Sequence, residues 1–438
     1  MKTVHIETWG CQMNVHDSEK MAGILAGQGF VTAPAADQAD LILLNTCSVR
    51  EKAAAKVFNR LGQLRRLKRE RPGMIIGVCG CVAQVEGEAI FRRAPWVDLV
   101  MGPRNIARLA QLLEDAQRDG RSISLAQAED PVEFPLGTAE RGRGPKAYVT
   151  IMEGCNKKCA FCIVPYTRGR EAYRPAAEIV REAEEVVAHG QCEVELLGQN
   201  VNAWHSGEDD FAALLHMVDR VRGLRRLRFT TSHPGHLTRR IMEAMRDLPS
   251  VCNHLHLPAQ SGSDRILRAM RRGYTRDRYL AKIDFLRREI PGMALSTDLI
   301  VGFPGETAED FDATLELLRE VQFEHVYAFT YSRRPGTPAA EATVTVPEDE
   351  KAERLRRLLA VQDEIQRARN ASLVGRTFEV LMDGASRLDP GIPKGRTRCN
   401  RIVHVPDLPS TIGLLEVRIT RAHAHSLSGV PVTDAPAA

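Results

Sequence analysis

Cys155, Cys159 and Cys162 stand in the run Gly154-Cys155-Asn156-Lys157-Lys158-Cys159-Ala160-Phe161-Cys162, and the next cysteine is Cys192. Three thiols at C-x3-C-x2-C spacing can reach three corners of a four-iron cluster, which ordinarily takes one thiolate per iron. The fourth iron would then keep an open position, the mark of a catalytic metal rather than a structural one. A zinc ion borrowing its fourth ligand from elsewhere is the other reading, although the compact run departs from paired C-x2-C zinc knuckles.

At 438 residues the chain is long enough for two or three domains, and 43% hydrophobic with 26% charged residues is ordinary for a soluble globular protein. Its first residues, Met-Lys-Thr-Val-His-Ile-Glu-Thr-Trp-Gly, lack the apolar core of a secretory signal. No stretch reaches the roughly 18 uninterrupted apolar residues of a membrane span. Ten cysteines without export point to metal ligation in a reducing compartment and not to disulfides, so a cytoplasmic location is expected. The net charge of +4 is small, but its distribution is uneven. Arg60, Arg65, Arg66, Lys68, Arg69 and Arg71 form one basic group; Arg222, Arg225, Arg226 and Arg228 a second; Arg265, Arg268, Arg271, Arg272 and Arg276 a third. Such runs are often solvated helix faces. Several together suggest an assembled basic surface and a nucleic-acid partner.

Residues 1–120 read as an α/β open-sheet domain. Val4–Ile6, Leu41–Leu44 and Met74–Val78 are expected strands, with helices over Asp17–Gly27 and Glu51–Arg69, the latter stopped by Pro72-Gly73. Shortly past each strand comes cysteine: Cys11, Cys47, and the pair Cys79 and Cys81. Ligands of open parallel sheets bind at the carboxyl ends of strands, so these thiols are expected to converge on a second iron–sulfur cluster. Strand reading does not decide between Cys79 and Cys81.

Residues 121–146 lack periodicity, end in Arg141-Gly142-Arg143-Gly144-Pro145, and read as a linker. Over 147–371 a strand–helix pattern repeats six times, with strands near Tyr148–Met152, Val194–Leu197, Leu227–Thr231, His254–Leu257, Leu295–Val301 and Val326–Tyr331. Six such units predict an open, TIM-like (β/α)6 barrel whose chemistry lies at the strands' carboxyl ends. The unusual loops fall there: the cysteine run, Gly198-Gln199-Asn200, His233-Pro234-Gly235, Gln260-Ser261-Gly262 and Gly302-Phe303-Pro304-Gly305. A helical connection, Glu348–Arg369, leads out of the barrel. Residues 372–438 read as a small OB-like β-barrel with strands at Thr377–Leu381, Arg401–Val405 and Leu414–Ile419. Its Arg396, Arg398, Arg401, Arg418 and Arg421 suggest phosphate gripping, because aromatics for base stacking are few.

Several motifs resemble one family closely: Gly10-Cys11-Gln12-Met13-Asn14, Asn45-Thr46-Cys47-Ser48-Val49-Arg50-Glu51, Gly80-Cys81-Val82-Ala83-Gln84, the cysteine run through Pro165-Tyr166-Thr167-Arg168-Gly169, Leu197-Gly198-Gln199-Asn200-Val201-Asn202 and Gln260-Ser261-Gly262-Ser263. Over nearly its full length the chain resembles MiaB-type methylthiotransferases of the radical S-adenosylmethionine (radical SAM) superfamily. The resemblance implies an N-terminal cysteine domain, a radical SAM barrel and a C-terminal TRAM domain. It implies methylthiolation of adenine C2 in isopentenyladenosine at position 37 of a tRNA anticodon stem-loop. It also implies two 4Fe–4S clusters with S-adenosylmethionine (SAM): Cys155, Cys159 and Cys162 for the cluster that cleaves SAM to a 5′-deoxyadenosyl radical, and Cys11, Cys47 and Cys81 for the auxiliary cluster that holds the transferred sulfur. Cys79 is then a packing residue. By the same analogy Phe161 lies near the SAM adenine and Gly198, Gln199 and Asn200 near its methionine moiety, with Gln260, Ser261 and Asp298 as contacts to ribose or substrate. No catalytic residue is assigned beyond the cluster ligands. A flavodoxin-type reductase and a sulfur donor are implied partners, and a monomer is expected. A radical route suits the target, because adenine C2–H is unactivated toward acid–base chemistry.

The remaining tempting residues are read as structural. His254 and His256 alternate on one strand face without a third ligand, and Cys192, Cys252 and Cys399 are expected to be buried or incidental thiols. Two other classes remain open: a methylthiotransferase acting on a protein, and a non-enzymatic iron–sulfur or zinc RNA-binding module.

Overall fold

The structure, a computed structural model, describes the chain except residues 49–52, 128–129, 131, 136, 138, 143, 344, 387–388, 407, 409–411 and 433–438. Val49, Arg50 and Glu51 of the second motif, the expected helix start at Glu51, and Arg143 lie outside the described residues.

The first unit is a six-stranded parallel sheet in the order β2-β1-β3-β4-β5-β6. Its elements are β1 (Lys2–Trp9), α1 (Gln12–Gly27), β2 (Phe30–Thr32), β3 (Leu41–Thr46), α2 (Ala53–Glu70), β4 (Ile75–Gly80), α3 (Cys81–Glu86), α4 (Ala89–Arg93), β5 (Leu99–Met101), α5 (Leu109–Asp119) and β6 (Ser122–Ser124). Every residue of β3 is buried, as a central parallel strand covered on both faces requires. Ile42 and Leu44 pack toward Val57, Leu61 and Leu64 of α2, while Leu41 and Leu43 pack toward Met21, Leu25 and Leu112 of α1 and α5. Two expectations move. The first helix starts at Gln12, five residues before Asp17, because Asn14, His16 and Asp17 are buried polar residues that break the apolar pattern. The sheet also runs to Ser124, past residue 120, since β6 is a three-residue edge strand too short to show a period.

The second unit contains β7 (Lys146–Thr150), β8 (Met152–Glu153), α6 (Val164–Arg168), β9 (Ala172–Tyr173), α7 (Ala176–Ala188), β10 (Glu193–Leu197), β11 (His205–Ser206), β12 (Asp209–Asp210), α8 (Phe211–Asp219), β13 (Arg226–Phe229), α9 (Arg239–Asp247), β14 (His254–His256), α10 (Asp264–Ala269), α11 (Arg276–Glu289), β15 (Ala294–Val301), α12 (Ala308–Val321), β16 (His325–Thr330) and α13 (Glu348–Ala371). All six expected strands are present, as two parallel half-sheets, β7-β10-β13 and β14-β15-β16. They join through a parallel bridge between Leu227 and Val251 and the bond from Cys252 N to Leu227 O at 2.9 Å. Helix α7 buries Ile179, Ala183 and Val186, a spacing of four and three that fits one helix face. Thr307 and Asp310 form a reciprocal capping box that starts α12. Helix α13 does more than lead out of the barrel: Leu358 and Ile365 are part of the barrel's own core.

The third unit is a closed five-stranded barrel, β17-β18-β19-β21-β20, built from β17 (Thr377–Ala385), β18 (Pro393–Thr397), β19 (Ile402–His404), β20 (Ile412–Ala422) and β21 (Leu427–Pro431). The expected strands did not include β18 and β21. β18 carries Pro, Lys, Gly and Arg, and only Pro393, Gly395 and Thr397 face inward.

The barrel's basic residues also need correction. Arg398 donates to Pro249 O at 2.7 Å and Val251 O at 2.9 Å, and Arg401 to Asn370 Oδ1 at 2.7 Å. Both seal the joint to the second unit, while Arg418 and Arg421 are exposed. The second basic group supplies the other half of that joint. The fully buried Arg226 donates to Glu379 Oε1 and Arg396 O, and Arg228 to Thr397 O and Arg398 O. The first group is largely paired as well, Arg60 with Glu7, Lys68 with Asp98 and Arg71 with Asp40. In the third, Arg276 pairs with Glu316 and Glu320. Most of these charges therefore serve the fold and not an open polyanion surface.

Candidate metal centres

Strands β1, β3 and β4 are adjacent and parallel, with Trp9 level with Thr46 and Thr46 level with Gly80. Cys11, Cys47 and Cys81 follow those strand ends, so three neighbouring carboxyl termini, roughly 4.8 Å apart, present one thiol each. The strand order reverses between β1 and β3, the point at which open sheets bind ligands. Two asparagines fix the loops: Asn14 Nδ2 donates to Asn45 Oδ1 at 3.3 Å, and Asn45 Nδ2 donates to Asn14 O at 2.8 Å. Gly80 has φ of 86°, and a Cβ there would stand 2.7 Å from Thr46 O and overlap Asn45. Glycine is required for β4 to release Cys81 toward Cys47.

Cys47 is in hydrogen-bond contact with both Cys11 and Cys81. Cys47 lies between Cys11 and Cys81, which lowers the pKa of both, and the Arg168 guanidinium lowers them further; the same contacts and burial raise Cys47. Cys79, two residues from Cys81, packs among Leu41, Leu43 and Leu99, and burial alone pushes its thiol up to about 12.

The second trio sits on the loop after β8. Gly154, with φ of 81°, lets the loop pass Gly169 and Arg170, where a Cβ would meet Gly169 O at 2.7 Å. Cys155 N donates to Gly169 O at 3.1 Å, Ala160 N to Met270 O at 3.0 Å, and Cys162 N to Cys159 O at 3.1 Å. Burial raises Cys155 to about 11 and Cys162 to about 12. The buried Arg272 donates from Nη1 to Cys159 Sγ at 3.3 Å and from Nη2 to Pro258 O at 3.1 Å.

Of the other expected residues, Gly198, Gln199 and Asn200 adjoin this loop. Gln199 Oε1 accepts from Gly154 N at 2.5 Å, Asn200 Nδ2 donates to Glu171 Oε1 at 3.1 Å, and Gly198 packs so tightly on Met152 that a Cβ would overlap it. Phe161 meets Phe303 edge-on at 6.5 Å in a small cluster with Tyr331 and Ile300. Gln260 has φ of 71° and bridges to β15 through Ile300 N. Ser261 points toward α12, 3.4 Å from Thr314 Oγ1, and accepts from Ser263 N. Asp298 lies on the barrel wall, 3.4 Å from His256 Nε2. A cleft of about 660 Å3 lined by Met245, Asn253, Glu324 and Arg401 lies at the opposite, amino end of the strands.

The residues fit an iron–sulfur centre and a polar cofactor in a definite sense. Gln199 Nε2, Asn200 Oδ1, Gln260 Oε1, Glu153 Oε2 and Arg168 Nη1 are buried with no hydrogen-bond partner in the protein. Buried polar groups of this kind normally have one; Gln199 and Asn200 adjoin the cysteine loop, Glu153 lies two residues before Cys155, Arg168 stands against Cys81, and Gln260 follows β14. Among the described residues no three His, Cys, Asp or Glu side chains are set around a single metal ion. The ligand reading therefore rests on which strand ends bring the thiols together.

Sequence reasoning gave Arg168 and Arg272 no role at the thiols, quoting the first only within a motif and counting the second only in a basic group. Arg168, six residues after Cys162, is buried, donates to Asp17 Oδ2 at 2.6 Å, lies 3.7 Å from Glu153 Oε1, and stands against Cys81 of the other trio. A basic residue just past a cysteine run was the available signal.

Three family models match the chain in order: Uncharacterized protein family UPF0004 over residues 3–102, the Radical SAM superfamily over 149–318 and the TRAM domain over 371–432. A tRNA-2-methylthio-N(6)-dimethylallyladenosine synthase of Chromobacterium violaceum is 47% identical over 99% of both chains. The chain belongs to this synthase family. Proteins of the same name from Bordetella pertussis, 47% identical over 97% of both chains, and Neisseria gonorrhoeae, 46% identical over 98% of this chain and 99% of the relative, agree. The radical SAM methyltransferase TsrM of Kitasatospora setae superposes with a TM-score of 0.58 at 15% identity, covering 78% of this chain and 75% of its own. That likeness concerns the fold. No helix among the described residues is long and apolar enough to cross a membrane.

Proposed function

We propose that this family member is a radical SAM methylthiotransferase that converts isopentenyladenosine at position 37 of tRNA to its 2-methylthio derivative. In this reading Cys155, Cys159 and Cys162 hold one 4Fe–4S cluster and Cys11, Cys47 and Cys81 the other. The observation that carries it is the pair of thiol trios, one on each of two α/β units, with Arg168 of the second unit's cysteine-loop segment standing against the first unit's trio. When bound, the clusters and SAM supply the radical that activates adenine C2, the sulfur that is inserted and the methyl group that completes it.

The chain's own residues orient these groups and exclude water. Gln199 fixes the loop at Gly154, and Arg272 holds Cys159 and so the loop's second thiolate. Asn14 and Asn45 hold the Cys11 and Cys47 loops in register. The unpartnered Gln199 Nε2 and Asn200 Oδ1 suit the carboxylate and amino groups of a bound amino acid, while Phe161 offers an apolar face to an adenine ring. A flavodoxin-type electron donor, a separate sulfur donor, a monomeric state and a cytoplasmic location complete the reading.

The test is nucleoside mass spectrometry of tRNA from cells with and without this protein, alongside anaerobic reconstitution. About eight irons per chain are expected, from two clusters of four. Cys159→Ala should remove about half of the iron and all SAM cleavage. The triple Cys11→Ala, Cys47→Ala, Cys81→Ala chain should lose the other half and the methylthio product, yet still cleave SAM. Full methylthiolation by the triple variant would end the two-cluster reading.

A further inference from the structure

Among the described residues strand β16 is the edge strand of the second half-sheet, paired only with β15, and its side chains alternate. Val326 is part of the core beneath the helices and Ala328 packs against that core. Tyr327 and Phe329 therefore point the other way, into the hollow, and they remain 47% and 43% exposed. Across the register Tyr327 is level with Asp298 and Phe329 with Ile300. On the same face the His256 ring meets Tyr327 edge-on at 5.7 Å, and its Nδ1 lies 3.0 Å from Ser296 Oγ. Toward the strand ends the wall continues through Ile300 into the group containing Phe161 and Phe303, at the cysteine loop. Two half-exposed aromatic rings, the Tyr327 ring also meeting His325 edge-on at 4.5 Å, thus lead along one wall toward the candidate metal centre, with a carboxylate beside the first.

We propose that Tyr327 and Phe329 form the floor on which the target adenine and its prenyl arm rest, with Asp298 accepting the single N6–H of the base; this rests on the reaction proposed above. Every base presents a π-face to an aromatic ring, and the apolar arm needs a surface that water does not reclaim. A carboxylate is acceptor-only when ionised, so it suits a secondary amine that still carries one hydrogen. An unmodified adenosine would gain the stacking but not the burial of the arm, which makes this floor a source of discrimination between the two.

The experiment uses the full reconstituted chain and two anticodon stem-loops, one with isopentenyladenosine and one with adenosine at the target position. Affinity is read by fluorescence anisotropy without turnover; iron content and RNA-independent SAM cleavage report integrity. Wild type should favour the prenylated RNA. Phe329→Ala and Tyr327→Ala should each weaken its binding by about 10-fold, with iron and basal SAM cleavage unchanged. The Phe329→Ala loss should fall mainly on the prenylated RNA. If either alanine variant loses iron, Phe329→Leu and Tyr327→Leu keep bulk on the strand and remove the ring, and should show the same loss. Unchanged affinity and preference in iron-replete variants would overturn the floor. A wild type that discriminates the two RNAs but forms no methylthio product would instead count against the reaction.

Discussion

Arg168 is a single side chain on which two units depend. Its guanidinium is buried with Asp17 at 2.6 Å and Glu153 at 3.7 Å, and Glu153 already has a pKa raised by burial. Arg168→Met leaves two carboxylates buried without their cation, a loss of about 3–5 kcal/mol. Urea denaturation of the metal-free chain should show it, and the Asp17→Asn/Arg168→Met pair should recover part of it. Glu19 gives a pH-dependent prediction. Burial raises its pKa from 4.5 to about 7, beside His16 Nδ1 at 3.0 Å. A carboxyl with a raised folded pKa contributes stability below pH 4.5 that is lost as pH rises through about 7. Glu19→Gln should therefore stabilise the chain at pH 8, by at most about 3 kcal/mol, and make no such gain at pH 4. A denaturation midpoint measured against pH tests this.

At the scale of elements, the convergence of Cys11, Cys47 and Cys81 depends on backbone features near each cysteine. Gly80→Ala forces a Cβ against Asn45 and the Thr46 carbonyl, so β4 must shift and carry Cys81 from Cys47. Reconstituted iron should drop from about eight to about four per chain while SAM cleavage persists. Gly29→Ala is the control. Its φ is 80° but nothing lies within 4 Å, so it should cost about 1 kcal/mol and keep all iron. The cysteine positions past β1, β3 and β4 were legible because each follows a short apolar run. The N-terminal turn of α1 was not, since its buried Asn14 and His16 look like loop residues until Asn45 is placed opposite.

For the molecule as a whole, the β-barrel is joined to the second unit by buried arginines, and Arg226 and Arg228 reach its backbone carbonyls. Removing residues from Ser372 onward would expose both, so truncation should lower the melting temperature as well as RNA affinity. Point changes separate the two effects. Arg418→Gln and Arg421→Gln should leave melting and iron unchanged. Each substitution that removes a phosphate-binding cation should flatten the slope of log affinity against log salt by roughly 0.7–0.9. An unchanged slope in the double variant would exclude these two arginines from the RNA interface.

The sequence by itself determined the class of chemistry and the order of the units. Three closely spaced thiols, strands ending in cysteine and six strand–helix repeats are local patterns, and local patterns survive in one dimension. It also carried the motifs that the relatives share. Only the tertiary structure decided what the charges do. Arg226, Arg228, Arg398 and Arg401 look like a polyanion surface in the chain, yet they lie in the joint between two units because carbonyls and carboxylates distant in sequence meet them there. Arg168 and Arg272 likewise acquire meaning only through the thiols they touch. A buried charge is defined by its partners, and those partners are fixed by long-range packing that no periodicity records.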